Sequence, residues 1–347
     1  MKELRKILLP FSLVYGIIMA IRNMLFNLGI FNTYQPKIPT ISIGNLSMGG
    51  TGKTPHVDFL INHLKNNYRL TVLSRGYGRK TKGFVKGTQH STAETLGDEP
   101  LLYKRKHTDE IEVIVSEDRV LAAKRIENTD TEILLLDDAY QHRKIGRHLN
   151  ILITTFQSPF FKDFVVPVGN LREFKNGKKR ANIIIVSKCP ENIDQQTKEA
   201  YVRKINANKN QKVFFSSISY GPILPIGHDA LLYGENYPEE ILLVTGIANP
   251  EPLEKELKKK FKVETKKFPD HHKFTSNDLA KIHTIFDTFV SQKKAIITTE
   301  KDLMRLLKPE LLNHLKNYPW YYQSINVALN EEQNFLKEID EHVNTNK

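Results

Sequence analysis

The sequence predicts an α/β protein with a mostly parallel sheet flanked by helices, a second, smaller α/β domain and an N-terminal membrane-associated helix. Three observations predict it. Short runs of Ile, Val and Leu alternate with longer helix-compatible stretches; one such run leads into a glycine-rich segment ending Gly52-Lys53-Thr54; and residues 5–31 are mostly apolar after a basic start. Continuous apolar strands imply burial on both faces, the habit of parallel sheets covered by helices.

The N-terminal segment comes first. In "LRKILLPFSLVYGIIMAIRNMLFNLGIF", Pro10 suits a helix's first turn and Gly29 its stop. A helix from Pro10 to Leu28 would be about 28 Å long. Ser12, Gly16, Asn23 and Asn27 then share one narrow stripe. A cleaved signal peptide lacks a clean A-x-A site here. A full membrane span is of marginal length and would hold Arg22 inside it. A helix lying in the membrane interface or docked on it fits, and a buried core helix is the bland alternative. A cytosolic nucleotide site further along would argue against export.

Beyond Pro39 the expected strands are 40–43, 70–74, 111–115, 132–137, 150–154, 182–187, 213–217, 240–246, 294–299 and 320–325. The Pro-, Gly- and Tyr-rich stretch 219–239 reads as a linker. The expected organisation is therefore a helix over 1–31, a domain over 36–218, the linker, and a smaller α/β domain over 240–347. A chain of 347 residues has room for two domains. Its 40% hydrophobic and 26% charged residues are ordinary for a folded protein. The single cysteine, Cys189, excludes an internal disulfide framework. A net charge of +12 favours an anionic partner without choosing among nucleic acid, phosphorylated substrate and acidic lipid.

"ISIGNLSMGGTGKTP" (41–55) carries the first chemistry. It ends like G-x-x-x-x-G-K-[ST], although Ser47 stands where the first glycine is usual. An apolar strand precedes it and the helix candidate "HVDFLINHLK" follows, the context the motif requires. Gly49, Gly50 and Gly52 let backbone amides approach phosphate oxygens, with Ser47, Met48 and Thr51 completing the loop. Lys53 would reach the β- and γ-phosphates, and the Thr54 hydroxyl would bind Mg²⁺. A glycine-rich turn with a chance lysine is the rival reading. In "TEILLLDDAYQH" (131–142) an apolar strand ends in Asp137 and Asp138, like a Walker B strand, and a carboxylate there could hold Mg²⁺. Alternatively one aspartate caps the next helix. Together the two segments point to a P-loop NTPase-like site for a Mg²⁺–nucleotide. Partitioning ATPases carry an extra lysine early in the loop, where this chain has Met48.

"TLGDEPLLYKRK" (95–106) places Asp98 and Glu99 before Pro100. Asp98 could simply cap a helix, or it could accept a proton from an attacking hydroxyl. "FPDHHKFT" (268–275) offers Asp270, His271 and His272, and a histidine can orient or share a carboxylate's proton. No His or Cys spacing supports zinc. "TTEKDLMRL" (298–306) would charge a helix start or act in domain closure. "KNGKKR" (175–180) with Arg75, Arg79 and Lys80 could meet anionic headgroups, whereas "KELKKKFKVETKK" (255–267) reads as a solvated face.

The ordered set "ISIGNLSMGGTGKTP", "SRGYGRK", "GDEP", "DDAYQHR", "PVGNLREF", "VTGIANP", "FPDHHKFT" and "TTEKD" resembles the tetraacyldisaccharide 4′-kinases, the lipid A 4′-kinases, over roughly residues 5 to 305. Ser47 matches that family's own loop. The resemblance implies ATP- and Mg²⁺-dependent phosphorylation of the 4′-hydroxyl of a tetraacylated glucosamine disaccharide 1-phosphate, giving lipid IVA. It also implies a two-domain kinase at the cytoplasmic face of a Gram-negative inner membrane, with no nucleic acid and no obligate protein partner. Asp98 matches the family's base and His271 its partner. Glu99, Asp137, Asp138 and Gln141 match residues around nucleotide and metal, and Arg172 and Glu173 a further active-site motif. Ala139 and Tyr140 stand where Gly-Phe is expected, and Asn170 where Pro is. Two rivals remain at this stage: a membrane-associated P-loop ATPase switch without a hydroxyl acceptor, and a kinase for another small alcohol.

Overall fold

The computed structural model describes residues 6–227, 232 and 237–346. Helix α1 (Leu9–Asn27) is followed by β1 (Thr40–Asn45), α2 (Lys53–Leu64), β2 (Leu70–Ser74), β3 (Val85–Lys86), α3 (Ala93–Leu96), α4 (Asp98–His107), β4 (Glu112–Val115), α5 (Arg119–Ile126), β5 (Ile133–Asp137), β6 (Leu149–Thr155) and β7 (Ile183–Ser187). Then come α6 (Gln195–Ile205), β8 (Lys212–Pro225), β9 (Glu240–Thr245), α7 (Glu251–Leu257), β10 (Lys262–Lys267), α8 (Ser276–Asp287), β11 (Lys294–Thr299), α9 (Glu300–Leu306), α10 (Pro309–Lys316), β12 (Trp320–Leu329) and α11 (Glu332–Thr345).

Twelve strands form one sheet in the order β10-β9-β11-β12-β8-β7-β6-β1-β5-β2-β4-β3. Every neighbouring pair is parallel except β8–β12 and β3–β4. β1, β2, β5 and β7 are buried along their whole length, as continuous apolar runs require. β1 lies between β5 and β6, so the crevice beyond its carboxyl end is the ligand position of an open α/β sheet.

Three expectations need correction. The first is the linker. Ser219–Pro225 continue β8, whose first residues pair with β7 and whose later ones pair antiparallel with β12. Gly221-Pro222, the apparent breaker, sits where the register shifts, and a bulge tolerates both residue types. The rest of the expected linker, 226–239, lies mostly outside the described residues. The second concerns the form of 255–267: its lysines are mostly solvated as expected, but its last six residues are β10, on the sheet's edge, where lysines discourage further pairing. The third is that the chain's end does not stay with the second half. Val327, Leu329, Phe335, Ile339 and Val343 join the core around Ile41, Val57 and Ile61. The Phe335 ring meets Phe59 of α2 and Phe214 of β8 at 6.1 and 5.2 Å. Strand alternation and an amphipathic helix announce burial, but not against which partner.

α1 is long and apolar enough to cross a membrane, yet it docks sideways on the body. Ser12, Gly16 and Phe26 are buried, while Phe11, Val14, Ile17, Ile18, Ile21 and Met24 face outward. Gly16 permits this approach, since a Cβ there would lie 2.8 Å from Phe174 Cε1. Ser12 Oγ donates to the Val165 carbonyl, Tyr15 Oη to Arg172 O at 3.2 Å, Arg22 to Gln141 O at 2.9 Å and Asn23 Nδ2 to Glu173 at 2.7 Å. Of the expected stripe, Ser12, Gly16 and Asn23 turn inward and Asn27 stays exposed.

Candidate active site

The loop after β1 enters α2 through Gly52, whose φ of +88° is open to glycine but strained for other residues. Gly49 is also left-handed, and added Cβ atoms at Gly49 and Gly50 would meet nothing within 4 Å, so the loop offers an open backbone surface. Its base is fixed. Asn45 Nδ2 donates to Thr51 Oγ1 at 2.9 Å, Ser187 Oγ to Thr51 O at 2.7 Å and Lys188 Nζ to Gly50 O at 2.7 Å. Behind it, buried His56 bonds Gly52 O at 2.7 Å and Ser216 Oγ at 2.9 Å, and burial pushes its pKa down to about 4. The proximal limb is tied elsewhere: Ser47 pairs with Leu171, and the Met48 amide donates to Asn170 O at 2.7 Å. Those two residues therefore contact the 165–173 segment that also receives α1.

Asp137 ends β5, and Asp138 follows at φ +48°. Burial, then the charges of Asp138 and Glu99, push the Asp137 carboxyl up to about 7. Asp138 is also penalised by burial, but Lys53, Arg172 and Arg119 outweigh this and hold it below its usual range. Lys53 Nζ stands 3.6 Å and Arg172 Nη1 3.2 Å from Asp138 Oδ1. Arg119, nearly buried, donates to the carbonyls of both aspartates at 3.2 Å. Among the described residues no three His, Cys, Asp or Glu side chains group as a metal cage. Mg²⁺ does not need one, because it commonly takes one or two carboxylates with phosphate and water. Two adjacent acids, one buried and proton-avid, fit such a cation, with Thr54 at the start of α2. Gln141 is occupied otherwise: its amide donates to Asn45 O at 2.9 Å and Glu173 at 3.1 Å, and its oxygen receives Arg172 at 3.4 Å. Glu173, buried, pairs with Arg180 at 2.6 Å and receives Asn23, so it anchors α1.

The third group bridges the two halves of the sheet. Gly97, at φ +93°, turns α3 into α4, and a Cβ there would sit 2.8 Å from Tyr77 O. Asp98 thus opens α4 and meets His271 Nδ1 at 3.1 Å, although 172 residues separate them. His271 follows β10 at φ +58°, its amide held by Gly246 O at 3.1 Å. Arg305 of α9 donates to Asp98 Oδ2 at 2.7 Å, to Asp302 at 2.8 Å and to Gly246 O at 3.0 Å, and reaches His271 Nδ1 at 3.2 Å. Burial would raise Asp98, but the His271 hydrogen bond and the Arg305 charge prevail and hold it low. Lys301 Nζ pairs with Glu99 at 2.9 Å and stands 3.4 Å from His271 Nε2. His272, by contrast, bonds Asp278 at 3.0 Å on α8. Glu99 lies next to Asp98 and its charge acts on Asp137, so the bridge adjoins the acid pair.

Arg119, Ser187, Lys188 and Arg305 escape a sequence reading. The only signal for Arg305 is its place one helical turn beyond Asp302 in "TTEKDLMRL", where it reads as one more surface cation.

The model of tetraacyldisaccharide-1-P 4′-kinase, LpxK, matches residues 4–344. The tetraacyldisaccharide 4′-kinase of Flavobacterium johnsoniae is 41% identical, over 100% of this chain and 99% of that protein. That of Parabacteroides distasonis is 40% identical, over 99% and 96%. The crystal structure of LpxK from Aquifex aeolicus in complex with ATP is 29% identical, with a TM-score of 0.75, covering 98% of this chain and 99% of that one. With the nucleotide loop, the paired aspartates and the bridged Asp98–His271 pair all in place along its length, this chain belongs to the tetraacyldisaccharide 4′-kinase family.

Proposed function

We propose that the protein transfers the terminal phosphoryl group of ATP to the 4′-hydroxyl of tetraacyldisaccharide 1-phosphate, giving lipid IVA. In this reading the backbone of Gly49–Thr54 and the Lys53 ammonium bind and orient the polyphosphate. Thr54 with Asp137 and Asp138 would hold Mg²⁺, which neutralises phosphate charge when bound. Arg172, itself bonded to Gln141, sets the carboxylate of Asp138, and Lys301 pairs with Glu99 beside the base. Asp98, ionised and oriented by His271, accepts the hydroxyl proton as the new oxygen–phosphorus bond forms and ADP departs. The 3.1 Å contact between Asp98 and His271, from opposite halves of the sheet, carries the reading. A switch without an acceptor has no use for such a pair. α1 lies in the membrane interface at the cytoplasmic face of the inner membrane, since its polar stripe is already docked on the kinase body. Neither nucleic acid nor a further protein enters the reaction.

The test uses the full protein with Mg²⁺-ATP and the lipid disaccharide in detergent, following labelled phosphate. Labelled lipid should form, and Asp98→Ala should nearly abolish transfer while ATP still binds. Full activity of that variant would remove Asp98 from the mechanism; ATP hydrolysis without labelled lipid would favour the switch.

A further inference from the structure

A cavity of about 360 Å³ lies away from the nucleotide loop, at the amino ends of β1, β6 and β7. That is within the range of small-ligand sites, about 300–1,000 Å³. Arg143, Arg147, Arg180, Gln35 and Asn182 are among the residues that line it. Among the described residues the only carboxylate paired with any of the three is Glu173, on Arg180. Arg143 otherwise donates to Asn23 O at 2.7 Å and lies over the Phe26 ring at 5.2 Å. Arg147 holds the carbonyls of Ala139 and His142. The Nε atoms of Arg147 and Arg180 are buried without a partner among the described residues. Burial and then the charge of Arg180 lower both Arg143 and Arg147, the latter to about 10. Three guanidiniums around a cavity, with the single carboxylate of Glu173 against them among the described residues, leave a net positive charge, and planar forks of this kind match phosphate oxygens.

The rim is greasy. Thr33 lines the cavity, and just before it Leu28, Ile30 and Phe31 are 65%, 61% and 42% exposed, continuing the outward apolar face of α1. We propose that this cavity is a second anion site, which takes the phosphate group of an anionic phospholipid headgroup or of a soluble phosphate compound. The site is separate from the nucleotide phosphates: it opens at the start of β1, and the phosphate loop begins about 17 Å further along the strand. The exposed apolar residues that precede Thr33 favour the lipid source, because acyl chains would lie along Leu28, Ile30 and Phe31 while the headgroup reached the arginines.

Two isosteric substitutions, Gln35→Glu and Asn182→Asp, put a carboxylate into the cavity and leave the arginines in place. The Asn182→Asp carboxylate can still accept from the Asn150 amide, as Asn182 Oδ1 does at 2.8 Å. Lys144→Gln changes charge equally on an exposed neighbour. With the nucleotide site saturated by Mg²⁺ and a non-hydrolysable ATP analogue, inorganic phosphate should raise the wild-type melting temperature saturably at constant ionic strength. Vesicles of equal parts phosphatidylglycerol and phosphatidylcholine should bind the wild type more tightly than pure phosphatidylcholine does. Either acidic variant should abolish the phosphate shift and cut the phosphatidylglycerol gain by about tenfold, against about twofold for Lys144→Gln. Loss of the phosphate shift with an intact phosphatidylglycerol gain assigns a soluble phosphate; loss of the vesicle gain assigns the headgroup. Acidic variants that behave like Lys144→Gln in both measurements, or a wild type that responds to neither probe, overturn the proposal.

Discussion

Replacing Arg305 tests the proposed acid–base pair through its support. The side chain is 4% exposed and gathers Asp98, Asp302 and the Gly246 carbonyl around one guanidinium. Arg305→Gln leaves two carboxylates, both largely buried, without that cation, and removing one member of such a buried pair costs about 3–5 kcal/mol. The urea midpoint should fall accordingly. Activity should also change with pH. Burial works to raise Asp98, and the His271 bond and the Arg305 charge outweigh it. Without the guanidinium that balance moves toward burial, and the carboxyl's pKa rises. A carboxylate serves as base only above its folded pKa, so the acid limb of the rate profile should move to higher pH. Arg305→Lys keeps the charge but not the fork that spans several acceptors, and its limb should fall between the two. The assay is initial-rate phosphate transfer between about pH 4 and 8, with folding checked by circular dichroism at each point. A folded Arg305→Gln protein with a wild-type acid limb would refute the assignment of Asp98 as the base that Arg305 tunes.

Other expectations follow from the same geometry. Gly16→Leu drives a side chain into the Phe174 ring, so α1 should undock; transfer to lipid should collapse while ATP binding, measured by calorimetry, persists. Phe335→Ala removes a fully buried ring against α2 and should cost about 3–5 kcal/mol in urea unfolding. His56, 2% exposed, has a folded pKa near 4 against 6.5 when free. The unfolded chain therefore binds the proton first as pH falls through that window, and stability drops by about 3 kcal/mol toward its lower end. Urea midpoints from about pH 7 to 4 should decline and His56→Gln should flatten the decline; an equal slope in both proteins would place the acid sensitivity elsewhere.

What was legible in the sequence was local. The strand–glycine loop–helix run, the aspartates ending β5 and the apolar strands each announce themselves within about a dozen residues, because backbone freedom, dipoles and burial act over that range. The pairing of Asp98 with His271 came only from the family resemblance. Nothing within either segment places it across the sheet. Arg305 was hidden for a related reason: a helical arginine reads as solvated until a tertiary partner buries it. The resemblance puts Gln141 around nucleotide and metal, and Glu173 in a further active-site motif. Both also belong to a hydrogen-bonded chain that fastens α1, and sequence cannot distinguish a polar side chain aimed at a ligand from one aimed at a neighbouring helix. The Gly221-Pro222 bulge disguised a strand as a linker.

That disguised strand has a consequence for how the molecule can be divided. β8 belongs to both halves, and the chain returns through β12 to finish the core beneath the phosphate loop with α11. Cutting anywhere near residue 230 would yield no self-sufficient modules: the front fragment would lack its closing strand and terminal helix, and the rear fragment would carry a helix with nothing to cover. Chimeras between relatives should therefore exchange the interior block between β8 and β12 and keep both flanks from one parent.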